Sequence, residues 1–139
     1  MSTTKVRKLF ETRLKNWAAA RSPALRVAFE DVAFTPNSGE TYLRCFTLPA
    51  RTGSEDLQGI HRLYTGVFQV NIVKPSNGGT GALSGIADEL ETLFPQNLQL
   101  TDGTFMVAVR SPMGPGPLII EGNTSTMPVS CNYRADAAL

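Results

Sequence analysis

Apolar residues along this chain recur in two rhythms. Between Leu63 and Val73 the rhythm is two: Tyr64, Phe68, Val70 and Ile72 share one parity with Gly66 in register, and Leu63, Thr65, Val67, Gln69, Asn71 and Val73 take the other. One face is mainly apolar and the other mixed, which predicts an antiparallel strand with one buried face. Pro75 removes a ladder donor and ends it. The strand is long, and Gly66 is expected to mark a bulge or bend.

The second rhythm is helical. From Ala82 to Phe94, Leu83, Ile86, Ala87, Leu90, Leu93 and Phe94 recur at three- and four-residue steps, with Asp88, Glu89 and Glu91 on the other side. Thr80 or Ser84 is positioned to cap its start, and Pro95 stops it. Lys5 to Ala20 carries a similar stripe of Val6, Leu9, Phe10, Leu14 and Trp17, broken by Ser22-Pro23. Trp17 belongs to core or interface.

Shorter alternating runs predict the remaining strands. Leu25 to Phe29 puts Leu25, Val27 and Phe29 on one face, and Thr41 to Leu48 puts Tyr42, Arg44, Phe46 and Leu48 on one parity. Leu98 and Leu100 open a strand, Asp102-Gly103 turns it, and Thr104 to Arg110 returns. Leu118 to Glu121 and Met127 to Arg134 are the last strands. Pro36-Asn37-Ser38-Gly39 is a turn cluster, Ser111 to Pro117 an exposed breaker-rich loop, and residues 1–4 and 135–139 are loose ends. The polar Pro49 to Gly59 segment joins two strands that can pair as a wide hairpin. It is longer than stability requires, which suits a partner-binding or ordering loop. The class expected is α+β: a single domain, residues 1–139, with a mixed or antiparallel sheet, an N-terminal helix and a second helix packed on it.

The turn between the long strand and its helix, Lys74-Pro75-Ser76-Asn77-Gly78-Gly79-Thr80-Gly81, can be read as an anion cradle. It lacks the Gly-Lys-Ser/Thr ending of a P-loop, and the order of elements does not fit a dinucleotide fingerprint. The plainer reading is a turn needing positive φ.

Composition narrows the class further. The chain has 139 residues, 42% hydrophobic and 18% charged, which suits a folded protein rather than a disordered one. A net charge of +1 supplies no global drive toward nucleic acid or membrane, and no apolar run approaches the ~20 residues that span a bilayer. The charge is uneven, however. Lys5, Arg7, Lys8, Arg13, Lys15, Arg21 and Arg26 face only Glu11 and Glu30 among the first thirty residues. Such a basic helix can touch anionic lipid or DNA, but is more often a solvated face. Cys45 and Cys131 both fall in predicted strands, where small buried thiols are common, and no Cys/His spacing suggests a metal. No signal peptide is evident, so a reducing compartment is the default.

Catalytic constellations are missing. His61 stands beside Arg62 with no evident nucleophile or acid, and neither a Gly-x-Ser-x-Gly elbow nor a His-Glu-x-x-His pair occurs. Glu55-Asp56 and the Asp88, Glu89, Glu91 group read as solvated surfaces. No cofactor, metal ligand or catalytic residue is expected.

Several blocks together carry a resemblance. They are the basic amphipathic helix ending near Trp17-Ala18, the strand Tyr42-Leu43-Arg44-Cys45-Phe46, and the run Arg62 to Ile72 with its Thr65-Gly66-Val67-Phe68-Gln69-Val70 centre. The glycine turn Gly78-Gly79-Thr80-Gly81 and the helix Ala87-Asp88-Glu89-Leu90 to Phe94 complete the set. In these the chain resembles the phage tail terminator-like family over about Lys5 to Arg134. The resemblance implies a structural protein of the virion tail, met in the host cytoplasm during assembly. Such subunits form a ring, commonly a hexamer and sometimes a monomer when free. The ring caps the tail tube, ends its polymerisation and offers a surface to head-completion or connector proteins.

A ring is a heterologous closed contact and needs two different complementary faces. The basic first helix and the acidic second helix are candidates for head-to-tail pairing, and an exposed sheet edge for strand addition. Candidate partner or ring contacts are Arg51, Glu55, Asp56, Arg62, Lys74, Asp88, Glu89 and Met113. Arg62 and Lys74 are also candidates for non-specific phosphate contact with DNA in a lumen. Two rival classes stay open: a nucleic-acid-binding module using the basic helix, and a small-molecule enzyme using the glycine turn and His61.

Overall fold

The computed structural model describes residues 3–50, 61–76 and 79–138. Along the chain come α1 (Thr3–Ala20), β1 (Arg26–Ala28), β2 (Tyr42–Pro49), β3 (His61–Pro75), α2 (Gly81–Leu93), β4 (Gln99–Asp102), β5 (Phe105–Val109), β6 (Gly114–Pro115), β7 (Ile119–Glu121) and β8 (Thr124–Ala138). The strands form one mixed sheet in the order β1-β2-β3-β8-β5-β4, with β6 and β7 also paired to β8. Only β1 and β2 run parallel among the described pairs. The architecture is α+β, as the patterning predicts.

The spine is the antiparallel pair β3–β8, 15 residues each, in unbroken register from His61↔Ala138 to Pro75↔Thr124. The period of two assigns the faces. Phe68, Val70 and Ile72 lie opposite Cys131, Val129 and Met127 on one side, and opposite Thr47, Cys45 and Leu43 of β2 on the other. All nine are buried. In β2 the core parity is thus Leu43, Cys45 and Thr47; Arg44, Phe46 and Leu48 point away from the core.

Both helices cover this face. Val6, Phe10, Leu14 and Ala18 of α1 are buried, as are Leu83, Ile86, Ala87 and Leu90 of α2. Their meeting point is aromatic. The Phe10 ring stacks on Phe68 at 4.6 Å between centroids and tilts against Phe94 at 5.7 Å and Tyr133 at 5.6 Å. These helices form because their apolar stripes have this sheet to cover. Thr80 occupies the N-cap position of α2, but its side chain makes no capping bond there.

Several expectations are corrected. Gly66 marks no bulge, since Pro49↔Gly66 and Gly66↔Tyr133 continue the ladders on both sides. It is glycine because of crowding: a Cβ would meet the Leu48 carbonyl oxygen and lie 2.6 Å from the Tyr133 hydroxyl. Residues 135–138 are not a loose end, because β8 continues through them between β3 and β5, burying Ala135 opposite Tyr64 and Val107. Nor is residue 4 loose, since α1 begins at Thr3. The segment Ser111 to Pro117 is not a free loop: Gly114–Pro115 pairs with β8, and Met113 is 1% exposed in the core. In the first strand the expected face holds: Leu25 is in the core and Val27 and Phe29 pack against it, with Val27 beside Leu43, while Ala28 is buried on the other side beside Arg44.

Candidate assembly surfaces

Part of the charge on the two helices is spent within the chain. Arg21, just past α1, forks onto Glu89 of α2, with Nε 2.9 Å from Oε1 and Nη2 2.6 Å from Oε2. The hydrogen bonds from Arg21 hold the Glu89 carboxyl below its ordinary value, and the same contact raises Arg21. Glu89 therefore ties α2 to the end of α1 within its own subunit. Asp88 and Glu91 are exposed on the outer side of α2.

Arg13 donates from Nε to the Leu93 carbonyl at 2.9 Å and lies over the Phe94 ring, placing a cation at the carbonyl end of α2. Arg26 pairs with Glu40 at 3.2 Å and sits 4.4 Å above the Phe34 ring. Lys8 and Lys15 remain exposed.

A polar knot lies where α1 meets β2. Arg7 reaches Glu30 at 3.5 Å, and Glu30 Oε1 accepts the Thr47 backbone N–H at 2.6 Å. β1 has ended two residues before Glu30, so this carboxylate takes the ladder place that a strand would otherwise fill. Burial pushes the Glu11 carboxyl up, against the opposing pull of Arg7 and with the added push of Glu30. Burial likewise pushes the Cys45 and Cys131 thiols up to about 12, so both stay protonated at neutral pH as packing groups.

Two of the open surfaces among the described residues bear on assembly. The first is a groove of about 670 Å³ between α1 and β4, lined by Lys8, Leu9, Arg13, Trp17 and Leu93, with Thr101 and Asp102 on its far wall. Trp17 is half-buried there, against the core and under the Arg21 guanidinium at 5.9 Å. The second is the sheet face opposite the helices. Phe34, at 5.0 Å from Tyr42, covers one end. The rest carries Leu48 (46% exposed) and Met106 (39% exposed) beside Gln69, Asn71, Asn132, Arg134 and Asp136. Gln69 Nε2 donates to Asn71 Oδ1 at 2.8 Å, and Arg134 pairs with Asp136 at 3.2 Å.

The candidate contacts named from sequence do not converge. Lys74, proposed for a lumen, is 8% exposed and donates from Nζ to the Pro75 carbonyl at 2.9 Å. Its amine is turned back onto its own chain, which corrects that expectation. Met113 is a core residue and no surface contact. Asp88 keeps an outward position, while Glu89 is committed to Arg21. Arg51, Glu55 and Asp56 lie outside the described residues, as does the side chain of Arg62, whose backbone stands in β3 opposite Ala137. Sequence reasoning passed over Ile119 and Ile120 of β7, which are 47% and 66% exposed. Two adjacent isoleucines ahead of a Gly122-Asn123 turn are the signal, because neighbours on a strand point to opposite faces and an edge hairpin cannot bury both.

Among the described residues no helix is long and apolar enough to cross a membrane, and no cluster of His, Cys, Asp or Glu could hold a metal ion. No curated protein gives a match. A solved structure that carries only a sequence identifier as its name is 43% identical, covers 97% of this chain and 96% of its own, and superposes with a TM-score of 0.83. The family model described as phage tail terminator protein matches residues 5–133, from the first turns of α1 to Tyr133 in β8. The chain belongs to the phage tail terminator protein family, and its role is that of a structural component of the virion tail.

Proposed function

We propose that this protein closes a phage tail: its subunits assemble as a ring, commonly a hexamer, on the end of the tail tube. The ring ends polymerisation and presents a surface to the head-completion or connector proteins. The free chain is a monomer, or becomes ring-forming when the tube presents a template, and it assembles in the host cytoplasm. Its work is structural and involves no catalysis. The observation that carries this reading is the family match across α1 to β8, which takes in the sheet and both helices together.

The surfaces support it. The core is sealed on the helix side, and the chain keeps two unlike open regions, a basic groove and a mixed sheet face. Unlike faces on one subunit are what a closed head-to-tail ring requires. A nucleic-acid module based on the basic helix is less favoured. Arg7, Arg13, Arg21 and Arg26 each have a partner in their own chain, which leaves Lys8 and Lys15 as the exposed cations of that helix.

The test is light scattering behind size exclusion over a range of concentrations, with and without tail tubes, followed by negative-stain imaging. Rings, alone or at tube ends, are expected. A monomer at every concentration that also leaves tube ends bare refutes the reading.

A further inference from the structure

The edges of the sheet are unequal. Along β2, past the end of β1, the outward Thr47 N–H is taken by Glu30, and the next outward position is Pro49, which has no N–H. That edge is closed to a further strand. Among the described residues the β4 edge carries no such block. β4 and β5 join through Gly103-Thr104, a two-residue turn with positive φ at Gly103, so Asp102↔Phe105 and alternate pairs bond inward. Leu98 follows that phase, its carbonyl accepting the Val109 N–H at 2.9 Å. The main-chain groups of Gln99 and Thr101 therefore face outward, at exposed residues, on the last strand of the sheet. Beside them runs the groove lined by Leu9, Trp17 and Leu93, with Lys8 and Arg13 on its α1 wall and the single acid Asp102 at the turn end of β4. An edge next to a basic, partly apolar groove fits an extended segment with an apolar and an acidic side chain.

The chain carries such a segment. β7, Ile119-Ile120-Glu121, is held to β8 on one side, and all three residues are exposed. Its closing turn also has positive φ at the first loop residue, Gly122, so the same phase turns the main chain of Ile120 outward. β7 cannot reach β4 of its own subunit. Both lie on the same side of β8, but Ile120 pairs at Ser125 and Met106 of the β4–β5 hairpin pairs at Asp136. At about 3.3 Å per residue the two edges are roughly 35 Å apart.

Building on the ring reading, we propose that the occupant is a second copy of this chain: β7 of one subunit adds to the β4 edge of the next. One isoleucine enters the groove beside Leu9, Trp17 and Leu93, and Glu121 meets Lys8. The contact is heterologous, uses each face once per subunit, and leaves both faces satisfied when the ring closes.

Cysteine cross-linking tests this at exposed positions that the fold tolerates. Full-length T101C/I120C, assembled at high concentration or on tail tubes, is treated with a short bis-maleimide; Cys45 and Cys131 are buried and stay out of the reaction. The expected result is a covalent ladder ending at the ring size. A T101C and I120C mixture should give cross-linked dimers and nothing larger, and each single variant alone should give none. Assembled rings without cross-links overturn the strand pairing and leave the ring reading standing. Cross-linking of T101C to itself overturns it in favour of a two-fold contact. Wild-type chain that forms no assembly with or without tubes overturns both.

Discussion

At the scale of single residues, the chain's least negotiable position is Gly66. A methyl there meets the Leu48 carbonyl, which is backbone and cannot swing away, as well as the Tyr133 hydroxyl at 2.6 Å and its ring carbon at 2.8 Å. Gly66→Ala should cost about 1–3 kcal/mol by the ordinary penalty for overpacking, read from urea denaturation. Adding Tyr133→Phe should not restore stability, because the carbonyl clash remains; full rescue would place the crowding in the hydroxyl alone. Glu11 offers a pH test. Its carboxyl is raised above the ordinary carboxylate value mainly by burial, so the folded state holds its proton more tightly than the unfolded chain does. That contribution to stability is present below the unfolded pKa and is lost as pH rises through the folded one. Glu11→Gln should therefore raise Tm at neutral pH, with the gain over wild type shrinking as pH falls toward the unfolded value. A gain that grows on acidification would contradict the assignment.

At the scale of elements, the predictable parts are those with a strong period and the hidden parts are those with weak side chains. β3 and α2 are legible because Phe68, Val70 and Ile72, and Leu83, Ile86 and Leu90, repeat at the spacing of their buried faces. The end of β8 is not, since Ala135, Ala137 and Ala138 have little strand preference, and it is the matching length of β3, joined by β5 at Ala135, that draws them into the ladder. Parity in β2 separates Tyr42, Arg44, Phe46 and Leu48 from the alternate set but does not say which faces the core. The core face is Leu43, Cys45 and Thr47, selected by register with β3. The segment around Met113 misleads, as its prolines and glycines suggest a free loop. Gly114–Pro115 and the Gly116 N–H, 2.6 Å from the Pro128 carbonyl, pin it to β8 and drive Met113 inward. Met113→Ala should therefore cost about 2–5 kcal/mol, in the range for truncating a buried methionine. A change within the few tenths typical of surface positions would return the segment to the solvent. Site residues were harder to read than the fold. Lys74 and Glu89 look like free charges in sequence; the fold buries Lys74 and turns its amine onto the adjacent Pro75 carbonyl, and it brings Arg21 to Glu89 from 68 residues away.

At the scale of the whole molecule, the proposed contact has a sign as well as a shape. In a head-to-tail ring each groove receives a neighbour's β7, so Lys8 of one copy faces Glu121 of the next. Lys8→Glu alone sets two carboxylates against each other at every interface, and Glu121→Lys alone sets two ammonium groups. A single exposed pair is worth about 0.2–1 kcal/mol, but the penalty recurs at each contact and a ring tolerates no open one. Each variant by itself should therefore assemble less well than wild type. Mixed in equal amounts they should recover, because alternating subunits restore opposite charges at both kinds of interface. One kind has the reversed pair, and the other has the native one. Alternation closes only a ring with an even number of subunits, so recovery to full-sized rings also speaks for an even ring such as the hexamer. Added salt should blunt both the loss and the rescue, since exposed charges are screened within about 10 Å at 0.1 M. Scattering mass and negative-stain counts on the three samples read the result. Rescue that fails although each variant is folded would remove the Lys8–Glu121 contact from the interface.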